Sequence, residues 1–202
     1  EDPRAGRWRG LNKQECGIHF DFNGAIASPM TASKRHTLWK DGAFMADPFR
    51  AWSEESDAAT ASYTHVPLPV FVANRDAFLA NPHPLGLQVS PGDRIEDVEA
   101  DLGRFASIAI TFPAFTDGRG YSTARLLTER YQYANEIRAV GDVLQDQIPL
   151  MRRCGVNALV VTHEPTRDAL VENRLPEVGI FYQPVGTAEV PVGTRPFLRR
   201  VS

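Results

Sequence analysis

Cysteine is scarce in this chain, and its scarcity excludes two protein classes at once. Cys16 and Cys154 are the two present among 202 residues, far apart and without C-x-x-C or metal-ligand spacing. That pattern argues against a disulfide scaffold and against a zinc site, and it fits a reducing cytoplasm. Long apolar runs are missing as well: the strand-sized Val70–Ala73 and Ala158–Val161 fall far short of the ~20 residues that cross a bilayer, so no membrane is expected. Nor is there an excess of positive charge. A formal net charge of -3 gives no broad basic field to draw nucleic acid or an anionic membrane. A glycine-rich phosphate loop, a Ser-His-Asp order and a metal-ligand cluster are all lacking, so no cofactor and no metal are expected. The first segment has no initiating methionine and no apolar stretch of the secretory kind, whereas Met30 opens a more ordinary beginning. Residues 1–29 are therefore expected to be a disordered or non-native extension.

What is present is a rhythm. With 43% hydrophobic residues the chain can fill one ordinary core. Leu38–Phe44 reads as a peripheral hairpin turning at Asp41-Gly42, and a Ser- and Ala-rich connector follows it. Pro67–Ala73 reads as a buried strand, with Asn74 capping a helix through Ala77, Phe78 and Leu79. Leu85–Val89 is the next strand, and Asp93 with Glu96 makes a capping box before Ile95, Val98, Leu102 and Phe105 at helical spacing. Ser107–Phe112 is a third strand, then a helix burying Ala124, Leu127 and Tyr131; Ile137–Val140 is a fourth. Asp142 and Gln145 read as a cap ahead of Leu144, Ile148 and Met151, and Cys154-Gly155 closes that helix, which Pro149 is expected to kink. A fifth strand over 157–161, a helix through Ala169 and Leu170, and a sixth strand, Gly179–Tyr182, complete the pattern. Such alternation predicts an α/β fold of repeated βα units with a mostly parallel sheet, as a partial βα barrel or an open three-layer fold. A full eightfold barrel needs about 250 residues and is disfavoured. The α/β domain is placed at 38–185, with a loose tail at 186–202.

In either architecture ligands gather where strands end and helices begin. The stretch Phe112–Ser122 makes one such crossing: glycines flank Arg119, and Ser122 is placed to cap the next helix. Arg119 offers a rigid fork of donors to an oxyanion, or it can pair with Asp117 or Asp142, and the pattern leaves both open. Gly120, Tyr121, Ser122 and Arg125 join it as candidate anion or partner contacts. Asp117, Asp142 and His163 are the candidates for moving protons; each also has an ordinary structural use, in a turn, a helix cap and a helix entry respectively. Cys154, beside Gly155 at a helix C-terminus, is expected to be structurally buried.

Two long stretches, Phe112–Ser122 continued by Ala124–Leu127, and Arg138–Gln147 continued by Met151–Gly155, resemble a bacterial family, the domain of unknown function nine-three-four. Members of that family are often labelled putative oxidoreductases and are commonly encoded beside assimilatory sulfite reductase. The resemblance implies a role in sulfate or sulfite assimilation, as an accessory protein that binds a small oxyanion or the sulfite reductase itself. An enzyme acting on an anionic small molecule by acid/base chemistry, and an interaction protein without a ligand site, are the alternatives.

Overall fold

The longest described strand, Phe105–Phe112, lies near the middle of its sheet. In the computed structural model, which describes residues 36–176, eight strands hydrogen-bond into one sheet. They are β1 (Leu38–Lys40), β2 (Ala43–Met45), β3 (Arg50–Ala51), β4 (Thr64–Pro67), β5 (Leu85–Val89), β6 (Phe105–Phe112), β7 (Glu136–Gly141) and β8 (Ala158–Val160). Their order is β2-β1-β8-β7-β6-β5-β4-β3. From β3 to β8 each neighbouring pair is parallel, and β1 lies antiparallel to both β2 and β8. The helices are α1 (Leu68–Ala73), α2 (Arg75–Ala80), a 3-10 segment (Ile95–Arg104), α3 (Arg119–Arg125) with a π turn (Leu126–Arg130), α4 (Ile148–Arg153) and α5 (Glu164–Val171).

Strand order decides between the two expected architectures. Parallel strands laid down side by side in chain order, each joined by a right-handed crossover, place all crossovers on one face. The sheet therefore curls as a half-barrel instead of splitting its helices between two faces. The packing agrees: Gly120 of α3 lies against Ile110 and Phe112, Phe71 of α1 meets Phe105 edge-on at 4.9 Å, and Arg167 of α5 sits over the Phe44 ring at 4.0 Å. In register, Phe44, Trp39, Leu159, Ala139, Ile110 and Val89 form one apolar row beneath these helices.

Several local expectations are corrected. The strand assigned to Pro67–Ala73 lies earlier, at Thr64–Pro67, and Leu68–Ala73 is helix. Pro69 sits in the first turn, where its missing N–H costs nothing, and Leu68 and Phe71 are buried at helical spacing. Asn74 precedes α2 but gives it no side-chain cap; its amide donates to the Val70 carbonyl instead. The segment after Asp93 is 3-10 helix broken at Val98, and Asp93 accepts the Ser90 N–H. Pro149 does not kink a helix interior, because α4 begins only at Ile148 and the proline falls in its first turn. Cys154 is buried, as expected. The hairpin turn at Asp41 and Gly42 also forms, both residues taking positive φ (51° and 83°), yet β1 is not peripheral: it is spliced beside β8. The strand read at Gly179–Tyr182, the extension at 1–29 and the tail at 186–202 lie outside the described residues.

The face opposite the helices carries a different row. His65, Gly86, Ser107 and Glu136 stand side by side on β4, β5, β6 and β7. Glycine is required in this row, because a Cβ on Gly86 would fall on the imidazole of His65, which crosses over it to reach Ser107. Overpacking of this kind costs ~1–3 kcal/mol. Gly86→Ala should lower stability in urea unfolding by that order, and the same substitution in a His65→Ala background should cost distinctly less. Equal costs in the two backgrounds would refute the assignment.

Candidate functional site

The rim formed by the carboxyl ends of β5 to β8 holds the residues singled out from sequence. Asp117 organises the β6–α3 crossing. Its carboxylate accepts the Arg119 backbone N–H at 3.1 Å, Arg119 Nε at 2.9 Å and Arg119 Nη2 at 2.6 Å. Hydrogen bonds from Arg119 hold the Asp117 carboxyl below its ordinary range. The helix begins at Arg119, with Gly118 as its N-cap, so Ser122 lies within α3, exposed, and does not cap it. Gly120 is buried, since a Cβ there would come within 2.7 Å of the Phe112 ring. Tyr121 packs edge-on against Phe112 at 5.1 Å; burial, then the nearby Cys154 and Asp146, raise its phenol above the ordinary range. Arg125 pairs with Glu129 one turn on, at 3.0 Å.

A cleft of about 220 Å³ opens beside this crossing, between the β5 end and α3. Arg119 and Gly120 line it together with Ser90, Gly92, Thr111 and Thr123. Its lining combines one arginine with three hydroxyl-bearing residues, and Asp93 on its wall accepts the Ser90 N–H. Asp117, Asp142 and His163 do not line it. Asp142 follows Gly141, which takes φ +99° because its Cα faces the Phe112 carbonyl, and the Asp142 N–H donates to that same oxygen at 2.7 Å. His163 precedes α5, with its Nδ1 2.9 Å from Thr166 Oγ1. The rim thus gathers the candidates on one edge, but within the described residues no side-chain hydrogen bond joins Asp117 or Arg119 to Asp142 or His163.

The densest polar chemistry lies elsewhere, on the face opposite the described helices, and no short motif marks it. Ser107 Oγ donates to Glu136 Oε1 at 2.9 Å, so its contact with His65 Nε2 at 3.0 Å places the proton on that nitrogen. Glu136 also accepts Arg138 Nε at 2.8 Å and Lys40 Nζ at 2.8 Å, and Arg138 Nη1 donates to Asp47 Oδ2 at 2.7 Å. Burial pushes the Glu136 carboxyl up, but Lys40, Arg138 and Ser107 outweigh it and hold it below the ordinary range. Burial, with Arg138 second, lowers His65 from 6.5 to about 4. An alternation such as Glu136-Ile137-Arg138 signals a half-buried strand, while the partners Lys40 and Asp47 are remote in sequence.

His65 therefore makes stability pH-dependent. The unfolded imidazole takes up a proton near 6.5 and the folded one only near 4, so between them the unfolded chain binds more protons and stability falls as pH falls. The full depth of that window is on the order of 3 kcal/mol. Urea unfolding between pH 7 and 4 should show this loss, and His65→Asn should flatten it; an unchanged slope in the variant would refute the role of His65.

No curated protein matches the chain. The family model described as a bacterial protein of unknown function (DUF934) matches residues 86–193, more than half of the sequence, from the glycine beneath His65 through the Arg119 loop and beyond α5. By that match, and in agreement with the resemblance of its two long motifs, the chain belongs to the DUF934 family.

Proposed function

We propose that the protein is an accessory component of sulfate or sulfite assimilation that binds a small oxyanion at the Arg119 cleft. One observation carries the reading: Arg119 lines a cleft of about 220 Å³ together with the hydroxyl-bearing Ser90, Thr111 and Thr123. Asp117 engages Nε and Nη2 and so fixes the orientation of the arginine, while Nη1 is left for a ligand. A preorganised donor loses less rotamer freedom on binding than a mobile one. The sulfur context comes from the family resemblance, and an oxyanion is the ligand class that both lines of argument share. Sulfite reductase is the proposed protein partner. Phe115, exposed to 56% on the same loop, offers an apolar contact to such a partner.

Titration calorimetry tests the ligand. Wild-type protein should bind sulfite or sulfate, and Arg119→Ala should weaken that binding by about tenfold to a hundredfold, the range of a charge-assisted hydrogen bond. If neither protein takes up sulfite, sulfate or phosphate while circular dichroism shows both folded, the oxyanion reading falls. The partner is tested separately by capture of purified sulfite reductase on the immobilised protein, with Phe115→Ala expected to reduce retention. No capture, together with normal sulfite reduction in a deletion strain, would overturn it.

A further inference from the structure

The face of the sheet opposite the described helices presents a charge account that its own strands do not balance. Among the described residues, the strands contribute Lys40, Arg138 and Glu136 to the polar cluster, and His65 is neutral there. The strand residues of this cluster, two cations and one carboxylate, therefore leave one surplus positive charge. Balance comes from Asp47, in the segment between β2 and β3, whose carboxylate takes the one arm of Arg138 that Glu136 leaves over. The Arg138 side chain is 1% exposed, whereas Asp47 is 24% exposed and belongs to no strand. A buried guanidinium needs its charge and all its N–H arms met; Glu136 takes Nε and Nη2, and Nη1 receives its carboxylate from a surface segment.

The same segment supplies a ring. Asp47 Oδ1 accepts the Phe49 N–H at 2.9 Å, an Asx-type turn that folds the tripeptide so that carboxylate and aromatic ring reach the same face. The Phe49 ring stacks on His65 at 4.7 Å with planes 30° apart, and Arg138 Cζ lies 5.3 Å from its centroid. We propose that this face is a second binding site, for a small aromatic monocarboxylate, and that Asp47-Pro48-Phe49 is its internal ligand. The carboxylate of the incoming molecule takes the place of Asp47 on Arg138 Nη1, and its flat ring takes the place of Phe49 on His65. A single negative charge matches the single surplus positive one. The segment acts as an autoinhibitory plug, and binding exchanges one carboxylate–guanidinium pair for another with no covalent step.

The probe is benzoate, with acetate as the ringless comparison and the full chain as the protein. Asp47→Ala should bind benzoate about tenfold to a hundredfold more tightly than wild type, because the internal competitor is gone. Asp47→Ala combined with Phe49→Ala should favour benzoate over acetate more strongly than Asp47→Ala alone, because the ring position is then open. In wild type, saturating benzoate should speed amide hydrogen exchange at residues 46–50 while leaving β6 and β7 protected. Arg119→Ala should leave all three results unchanged, which separates this site from the rim cleft. Equal benzoate affinity in wild type and Asp47→Ala, or benzoate binding to wild type without faster exchange at residues 46–50, would overturn the proposal.

Discussion

Pairing of β3 through β8 in chain order is the constraint from which the rest of the molecule follows. Once every crossover turns the same way, one face of the sheet receives all the described helices. The covered face can be apolar, as the row from Phe44 to Val89 is. The opposite face satisfies its polar groups in register: Glu136 beside Ser107, Ser107 beside Gly86, Gly86 beside His65. A slip of one residue in any of these strands would send its polar members into the apolar layer and its apolar members out, so the two faces lock each other's register.

That lock also explains why the two candidate sites differ in kind. The rim is made of local contacts: Asp117 with Arg119, Arg125 with Glu129, and His163 with Thr166, each within one helical turn. Such contacts set loop geometry and leave the cleft beside them open. The face opposite the described helices is made of contacts between distant strands, which fix side chains in a layer where few have freedom to move.

Legibility in the sequence followed the same division. Ser107–Phe112, Ile137–Val140 and the Asp41-Gly42 turn were readable because period and turn chemistry are local properties. Thr64–Pro67 was not, because Thr64 and His65 are polar and only Ser107, on a strand two places away, gives the imidazole its buried partner. Pro67–Ala73 read as a strand by its apolar run and Pro149 as a kink, yet Pro69 and Pro149 both sit in first turns of helices, where proline is harmless. The Arg119 loop was visible as a strand-to-helix crossing, and its Asp117 pairing stood among the readings left open. The Arg138 cluster was invisible as a cluster: Arg138 stood in plain view within a strand, but Lys40 and Asp47 belong to a hairpin and connector that looked peripheral. Sequence spacing carries no sign of which distant carboxylate will neutralise a buried guanidinium.

The splicing of β1 beside β8 has a consequence for the order in which the chain assembles. Leu38 pairs with Val160 and Lys40 with both Ala158 and Glu136, so nearly every contact that seats the hairpin outside itself is made with residues roughly a hundred positions later. Contacts of such long separation form only after the intervening loop has been closed. The hairpin is therefore among the first parts of the domain to leave the ribosome and among the last to find its place. It also ends the run of parallel strands with an antiparallel one at this edge of the described sheet. A stretch that looks like a preamble in the sequence is, in the order of assembly, the closing piece.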